Sequence, residues 1–269
     1  MLLTEAEGWK VGTSDGVFHL PTFHLSIDVT GRSGAQNMAL DTALLAEAQC
    51  SGRAFLRLYR FDPPCLSFGR HEPARSRYDR AAIARLGLDV VRRPTGGRAV
   101  WHEHEVTYAV AAPIVAFGSL REAYRAIHGT LNAALRTVGA NATLAPDRPT
   151  VRPSDRPAAC FATSAGGEVL VDGRKLVGSA QLREGAALLQ HGSILLDGSQ
   201  EMIRRVSREQ GAGSGETTLS AVLGRPVSFD EVAAAIVATW DPAVTSTALD
   251  RPRPPSPDRF SDPAWTWRR

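Results

Sequence analysis

The chain is short of cysteine, and it lacks a nucleotide loop, a metal motif and long apolar runs. Its three cysteines, Cys50, Cys65 and Cys160, are too few and too widely spaced for a disulfide framework, and no CxxC pair offers a zinc site. A reducing cytoplasm with free thiols is the simplest setting. There is no GxxxxGK[ST] segment, so nothing points to P-loop ATP chemistry. No window approaches the ~18 uninterrupted apolar residues of a membrane span. The start, MLLTEAEGWK, has neither a positive charge cluster nor an apolar run, so no signal peptide is expected. A broad basic surface is missing too. The net charge is +3, and the five arginines and three aspartates from Asp250 to Arg269 supply most of it. That argues against a general nucleic-acid binder.

What is present is an ordinary globular composition, 43% hydrophobic and 22% charged over 269 residues, enough for one large domain with a small appendage. The stretch NMALDTALLAEA (37–48) reads as a helix and AFLRLYRF (54–61) as a strand, followed by a short strand in CLSFGR. RYDRAAIARLG reads as a short helix ending at Gly87, and LDVVRRP as a buried strand. EVTYAVAAP alternates, with Val106, Tyr108, Val110 and Ala112 on one face. Ser119 and Ser228 each stand three residues before a glutamate and open amphipathic helices. Asn141–Pro157 reads as a loop. Val and Leu runs flank Asp172-Gly173, which marks a tight hairpin, and LLQHGSILLD is another strand. After Trp240 the chain turns proline-rich and charged, so residues 241–269 are expected to form a flexible tail behind a domain of residues 1–240. The interleaved elements lack a regular βαβ rhythm. They predict an α+β fold whose central mixed or antiparallel sheet is flanked by helices.

Two stretches carry candidate chemistry. RRPTGGRAVWHEHE (92–105) places Gly96-Gly97 between predicted strands, where backbone can approach a ligand closely and present N–H groups to it. The same pattern also fits a hairpin loop with surface arginines. His102 and His104 would share a strand face, but no third ligand with metal spacing accompanies them, so no metal site is expected. His191 reads as a structural or supporting polar group. Arg70, Arg75, Arg77, Arg80, Arg85, Arg92, Arg93 and Arg98 form a basic cluster suited to an acidic partner or to a solvated face. In RPAACFATSAGGEVLVDGRKLVGSAQ (156–181), Cys160 on its own would read as a small buried hydrophobe. Its proline-rich approach and small neighbours weaken that reading and leave an accessible, reactive thiol open as the alternative.

Taken in order, GAQNMALDTALL, LRLYRFDPPCLSFGRHEP, VVRRPTGGRAVWHEHEVTYAV, ACFATSAGGEVLVDGRKLVGSAQ and LQHGSILLD resemble the blocks of the biotin/lipoate protein ligase family. The resemblance implies an α+β catalytic domain related to class II aminoacyl-tRNA synthetases. RRPTGGRAV, with Arg98 in place of a third glycine, and ACF ahead of DGRKLVGSAQ are most similar to the family's cysteine-dependent octanoyltransferase branch. On that resemblance Cys160 and Lys175 are the catalytic residues, and Arg93, Thr95, Gly96, Gly97, Arg98, Ala99, His102, Gly178, Ser179 and Ala180 bind substrate. It implies octanoyl transfer from an octanoyl-acyl carrier protein, through an acyl-Cys160 thioester, to a lysine of a lipoyl domain. The acceptor would be the glycine cleavage H protein or a dehydrogenase E2 subunit. No cofactor, nucleic acid or membrane is expected, and the expected form is a cytoplasmic monomer. The alternatives are an amidotransferase moving octanoyl between lipoyl-bearing proteins and an ATP-dependent lipoate-protein ligase. By alternation alone, Val100, Val106, Tyr108 and Val177 are candidates for the acyl slot.

Overall fold

The structure is a computed structural model and describes residues 22–146, 166–209, 215–240, 244–245 and 258–269. Strand β1 (Phe23–Arg32) is followed by helix α1 (Gly34–Ser51), β2 (Ala54–Phe61) and β3 (Cys65–Phe68). Short helices α2 (Ala74–Arg77) and α3 (Arg80–Arg85) lead to β4 (Asp89–Arg92), β5 (Val100–His102) and β6 (Glu105–Pro113). Helix α4 (Leu120–Thr137) precedes β7 (Ala142–Leu144), β8 (Val169–Val171), β9 (Arg174–Lys175), β10 (Val177–Glu184) and β11 (Ala187–Leu195). The chain continues through α5 (Glu201–Val206), α6 (Leu219–Leu223), α7 (Phe229–Trp240), β12 (Val244–Thr245), α8 (Asp258–Ser261) and α9 (Pro263–Thr266).

Local chemistry sets these boundaries. Ser33 caps α1: its hydroxyl accepts the Gln36 N–H, while the Gln36 side chain accepts the Ser33 N–H, so two otherwise orphaned donors are satisfied reciprocally. Ser119 accepts the Glu122 N–H and Ser228 the Glu231 N–H, which starts α4 and α7 where the sequence places them. Asp172 and Gly173 both have positive φ, 50° and 73°. This is the turn geometry whose twist matches paired strands, and it closes β8 onto β9.

The principal sheet runs β10–β11–β6–β2–β1–β12. It is mixed: β1 and β2 are parallel, while β2, β6, β11 and β10 pair antiparallel. A parallel neighbour needs a crossover, and α1 supplies it. Alternation along β6 divides the core in two. Val106, Tyr108, Val110 and Ala112 join one cluster with α4 and α7, while Ala109 and Ala111 join another with α1. The outcome is a central mixed sheet with helices on both faces, the expected α+β class. Two small sheets, β4–β3–β5 and β7–β8–β9, hold the glycine loop and Lys175 respectively. Strands β1 and β5 were not foreseen in the sequence, the hairpin's second arm was foreseen only as far as Ala180 of β10, and Asn141–Pro157 contains strand β7.

The expectation of a flexible tail fails for its last twelve residues. Phe260 and Trp267 are buried, and Trp267 packs edge-on against Phe68. The Trp265 indole donates to the Arg92 carbonyl at 2.9 Å, and the Arg92 guanidinium donates to the Thr266 carbonyl at 2.9 Å. Arg259 and Arg268 stack on Trp265. Three aromatic residues in this segment gain more from burial than twelve residues' composition suggests.

Candidate active site

The glycine loop, residues 93–99, is held from below by two buried hydroxyl–imidazole–carboxylate chains. In the first, Thr95 Oγ1 lies 2.6 Å from His191 Nε2, and His191 Nδ1 lies 2.8 Å from Asp41 Oδ2. Asp41 also accepts from Arg57 Nη1 at 2.9 Å and from the Tyr59 hydroxyl at 2.8 Å. Burial pushes the Asp41 carboxyl up, but His191, Arg57 and Tyr59 outweigh it and hold the group below its ordinary value. Burial pushes His191 down despite Asp41. The imidazole is therefore neutral, donates through Nδ1, and accepts the Thr95 hydroxyl at Nε2. In the second chain, Ser67 Oγ lies 2.6 Å from His102 Nε2, and His102 Nδ1 lies 2.7 Å from Glu105 Oε1. Arg93 Nη1 donates to Ser67 Oγ at 2.6 Å, while its Nη2 donates to the carbonyls of Gly96 and Arg98. Ser67 is fully buried and accepts from a cation, so this chain orients the loop and is not a nucleophilic triad. Gly97 has φ 91°, a conformation that favours glycine, and a side chain there would crowd the Arg93 guanidinium.

Beside the loop lies a small cavity of about 20 Å³. Its lining includes Arg93, His102, Gly178, Ser179 and Ala180, all expected at the site, together with Met38, Tyr59, Phe61, Val100, Thr107 and Ser193. Of the other expected residues, Thr95 is buried on His191. The Arg98 carbonyl serves Arg93, and its side chain lies 3.8 Å from Glu72. Ala99 packs in the core with Leu66 and Phe68, away from the cavity. Among the four candidates for an apolar slot, only Val100 lines it. Val106, Tyr108 and Val177 face the α4/α7 core, because the cavity lies on the opposite face of β6, where Thr107 points.

The basic cluster is also partly internal. Arg92 is fully buried and donates to the carbonyls of Gly69, Glu72 and Thr266. Arg93 is buried as described, and Arg77 pairs with Glu72 and Glu209. His102 and His104 do not share a strand face: His102 ends β5 and is buried, while His104 is exposed in the following turn at φ 35°.

Lys175 is only 3% exposed, and its ammonium lies 2.7 Å from Glu168. A buried ammonium is tolerable only when paired in this way. Lys10 and Lys175 are the only lysines among 31 basic residues, so a compact point charge sits at 175 in a chain that otherwise uses arginine. Nearby, His128 Nδ1 donates to the Gly167 carbonyl at 2.7 Å, and its Nε2 lies 2.8 Å from Ser179 Oγ, which in turn lies 2.6 Å from the Tyr108 hydroxyl. Burial pushes His128 down to about 4, and the Lys175 charge contributes. The unfolded chain thus takes up a proton near pH 6.5 that the folded protein refuses until about pH 4, so folding stability falls as pH drops through that window. From pH 7 to pH 5 the expected loss from His128 is about 2 kcal/mol. Urea unfolding at the two pH values measures it, and His128→Asn should flatten the difference.

Cys160 lies outside the described residues. Cys50 is exposed at the end of α1 and Cys65 is buried, its thiol pushed up by burial. Asp41, Glu105, His128 and Glu168 were not foreseen. Glu105 and Glu168 lie within stretches already singled out, three and seven residues from their partners His102 and Lys175, whereas Asp41 and His128 meet partners far away in sequence.

Residues 33–241 match the family described as the lipoyl protein ligase A/B catalytic domain. The chain belongs to that family. It is 45% identical over 188 residues to the octanoyltransferase LipM of Kyrpidia tusciae, covering 66% of this chain and 68% of the relative. It is 41% identical over 184 residues to the LipM of Carboxydothermus hydrogenoformans, covering 67% of each. With the LipM of Symbiobacterium thermophilum, 36% identity extends over 82% of this chain and 86% of the relative. Among solved structures, a lipoate-protein ligase A bound with ATP superposes with a TM-score of 0.67 at 20% identity, covering 85% of this chain and 88% of that one. A bi-partite lipoate protein ligase from Thermoplasma acidophilum gives 0.68 at 18%, covering 93% and 97%. At such identities the structural matches speak for the fold alone. No helix among the described residues is long and apolar enough to cross a membrane.

Proposed function

We infer that the protein is an octanoyltransferase of lipoate biosynthesis, which takes an octanoyl group from a carrier-protein thioester onto Cys160 and passes it to a lysine of a lipoyl domain. The observation that carries this reading is the pocket whose lining sets Met38, Tyr59, Phe61 and Val100 beside Arg93 and Gly178–Ala180. Apolar side chains there suit a saturated chain, while the arginine and the neighbouring backbone suit its carbonyl end.

The chemistry balances without a nucleotide. The Cys160 thiolate attacks the donor thioester carbonyl, the tetrahedral oxyanion collapses, and the carrier thiolate leaves and takes up a proton. An uncharged lysine amine of the acceptor then attacks acyl-Cys160. The Cys160 thiolate leaves, the new amide nitrogen sheds a proton, and a thioester has been exchanged for a more stable amide. A cysteine at the ordinary thiol pKa of ~8.5 is only a few per cent thiolate at neutral pH. A cation near the thiol raises that fraction and also stabilises the oxyanion. Lys175, paired with Glu168, is assigned both tasks. Purified protein, octanoyl-carrier and a lipoyl domain should yield octanoylated acceptor without ATP. A strict requirement for ATP and free octanoate would overturn this reading.

A further inference from the structure

The guanidinium of Arg92, at the end of β4, is fully buried and meets backbone carbonyls from two separate segments. Its Nη1 donates to Gly69 and Glu72 at 2.7 and 2.8 Å, and its Nε donates to Thr266 at 2.9 Å. A buried cation and buried carbonyls each need a partner, so these bonds hold the 69–72 turn and residues 258–269 to one another. The segment 258–269 has fastenings of its own. Trp267 sits edge-on to Phe68, the Trp265 indole donates to the Arg92 carbonyl at 2.9 Å, and the Arg75 N–H donates to the Arg269 carbonyl at 2.8 Å.

The same turn carries the glycine loop. The Arg70 N–H donates to the Thr95 carbonyl at 2.7 Å, while the Arg70 carbonyl accepts from Arg268 Nη2 at 2.7 Å. Arg70 is thus tied to the loop on one side and to the 258–269 segment on the other. Gly69 runs so close to the loop that a methyl group there would lie 2.0 Å from the Gly97 carbonyl oxygen. None of the described residues lining the cavity belongs to 258–269, so the segment reaches the site only by way of this turn.

We propose that residues 258–269 position the glycine loop for acyl transfer, and that Arg92 is the positioning residue through which they act. This rests on the acyltransferase reading above, in which the loop borders the acyl pocket. Unseating the segment takes away the Thr266 carbonyl and opens Arg92 to water, which then competes for the Gly69 and Glu72 carbonyls. The turn gains freedom, and the loop it supports gains freedom with it. A displaced loop slows the step at the reacting atoms more than it weakens binding of the carrier.

Two full-length variants test this: Trp265→Ala combined with Trp267→Ala, which unseats the segment, and Arg268→Ala, which removes the donor to the Arg70 carbonyl. Hydrogen exchange by NMR follows the Arg70 amide, whose acceptor is Thr95, and quenched loading follows acylation over a range of octanoyl-carrier concentrations. In the double variant the Arg70 amide should exchange about tenfold faster while the amides of β6 exchange as before. Its loading rate at saturating carrier should fall about tenfold, with the half-saturating concentration changed by less than about twofold. Arg268→Ala should move both readings the same way by a smaller factor, and it decides the matter if the double variant does not fold. Unchanged Arg70 exchange, an acceleration shared equally by β6, an undiminished loading rate, or a rise in the half-saturating concentration alone would overturn the proposal. If the unsubstituted protein loaded no octanoyl group, the acyltransferase reading would fall, and the exchange of Arg70 would still decide whether the segment holds the loop.

Discussion

Lys175→Met is expected to abolish acyl transfer and to lower folding stability by about 3–5 kcal/mol. The two losses have different origins and can be separated. The stability loss arises because Glu168, whose side chain is only 6% exposed, loses the ammonium 2.7 Å away, and a buried carboxylate stripped of that partner is costly. Pairing Lys175→Met with Glu168→Leu removes both charges, and replacing a buried ion pair by apolar groups is often neutral. The double variant should therefore melt near the unsubstituted protein yet still transfer nothing. Recovered activity in the double variant would show that Lys175 serves only to neutralise Glu168. Lys175→Arg adds a finer distinction: retention of full activity would support a charge role and exclude proton transfer by a neutral amine, since guanidinium is not deprotonated in proteins.

Asp41→Ala is expected to cost about 3–5 kcal/mol as well, because three donors converge on one fully buried carboxylate: Arg57, the Tyr59 hydroxyl and His191. Its effect should also reach the glycine loop. Without Asp41 the His191 ring loses the acceptor that fixes its tautomer, and Thr95 loses a defined partner at 2.6 Å. The milder Asp41→Asn should leave most of the fold intact while slowing acyl loading about tenfold to a hundredfold, the usual consequence of a displaced binding loop. His191→Ala should slow it similarly, and the combination should be no worse than either alone, because both act through Thr95. Additive losses in stopped or quenched loading assays would break the proposed chain. Acid adds a further check. Asp41 is held below the ordinary carboxylate value, so its stabilising contribution is present above that ordinary value and is lost as pH falls below it.

How much of this was legible beforehand depended on how local the cause was. Ser119, Ser228 and Asp172-Gly173 act within three residues of themselves, and each placed an element boundary correctly. Alternation along β6 sorted Val106, Tyr108, Val110 and Ala112 onto one face, yet it carried no information on which face holds the cavity. That face is chosen by α1, through Met38 and Asp41. Strand β1 was missed because HLSIDVTGR mixes charged and apolar residues on a half-exposed strand. Arg92 and Arg93 looked like surface charge because backbone carbonyls leave no mark in a sequence, and those carbonyls are what satisfies them. The C-terminal twelve residues were misjudged on proline and charge content, while Phe260, Trp265 and Trp267 were the informative residues. At the candidate site, the glycine loop and Lys175 were readable, but Asp41 and His191 are 150 positions apart and become neighbours only once the sheet has formed.

The proposed transfer passes through one covalent intermediate. The full-length protein, incubated with octanoyl-carrier protein alone and without ATP or acceptor, should gain the mass of one octanoyl group, labile to hydroxylamine as a thioester is. Cys160→Ala should gain none, while Cys50→Ala and Cys65→Ala should load as the unsubstituted protein does. An octanoyl adduct that persists in Cys160→Ala, or transfer to a lipoyl domain by that variant at an undiminished rate, would contradict the account.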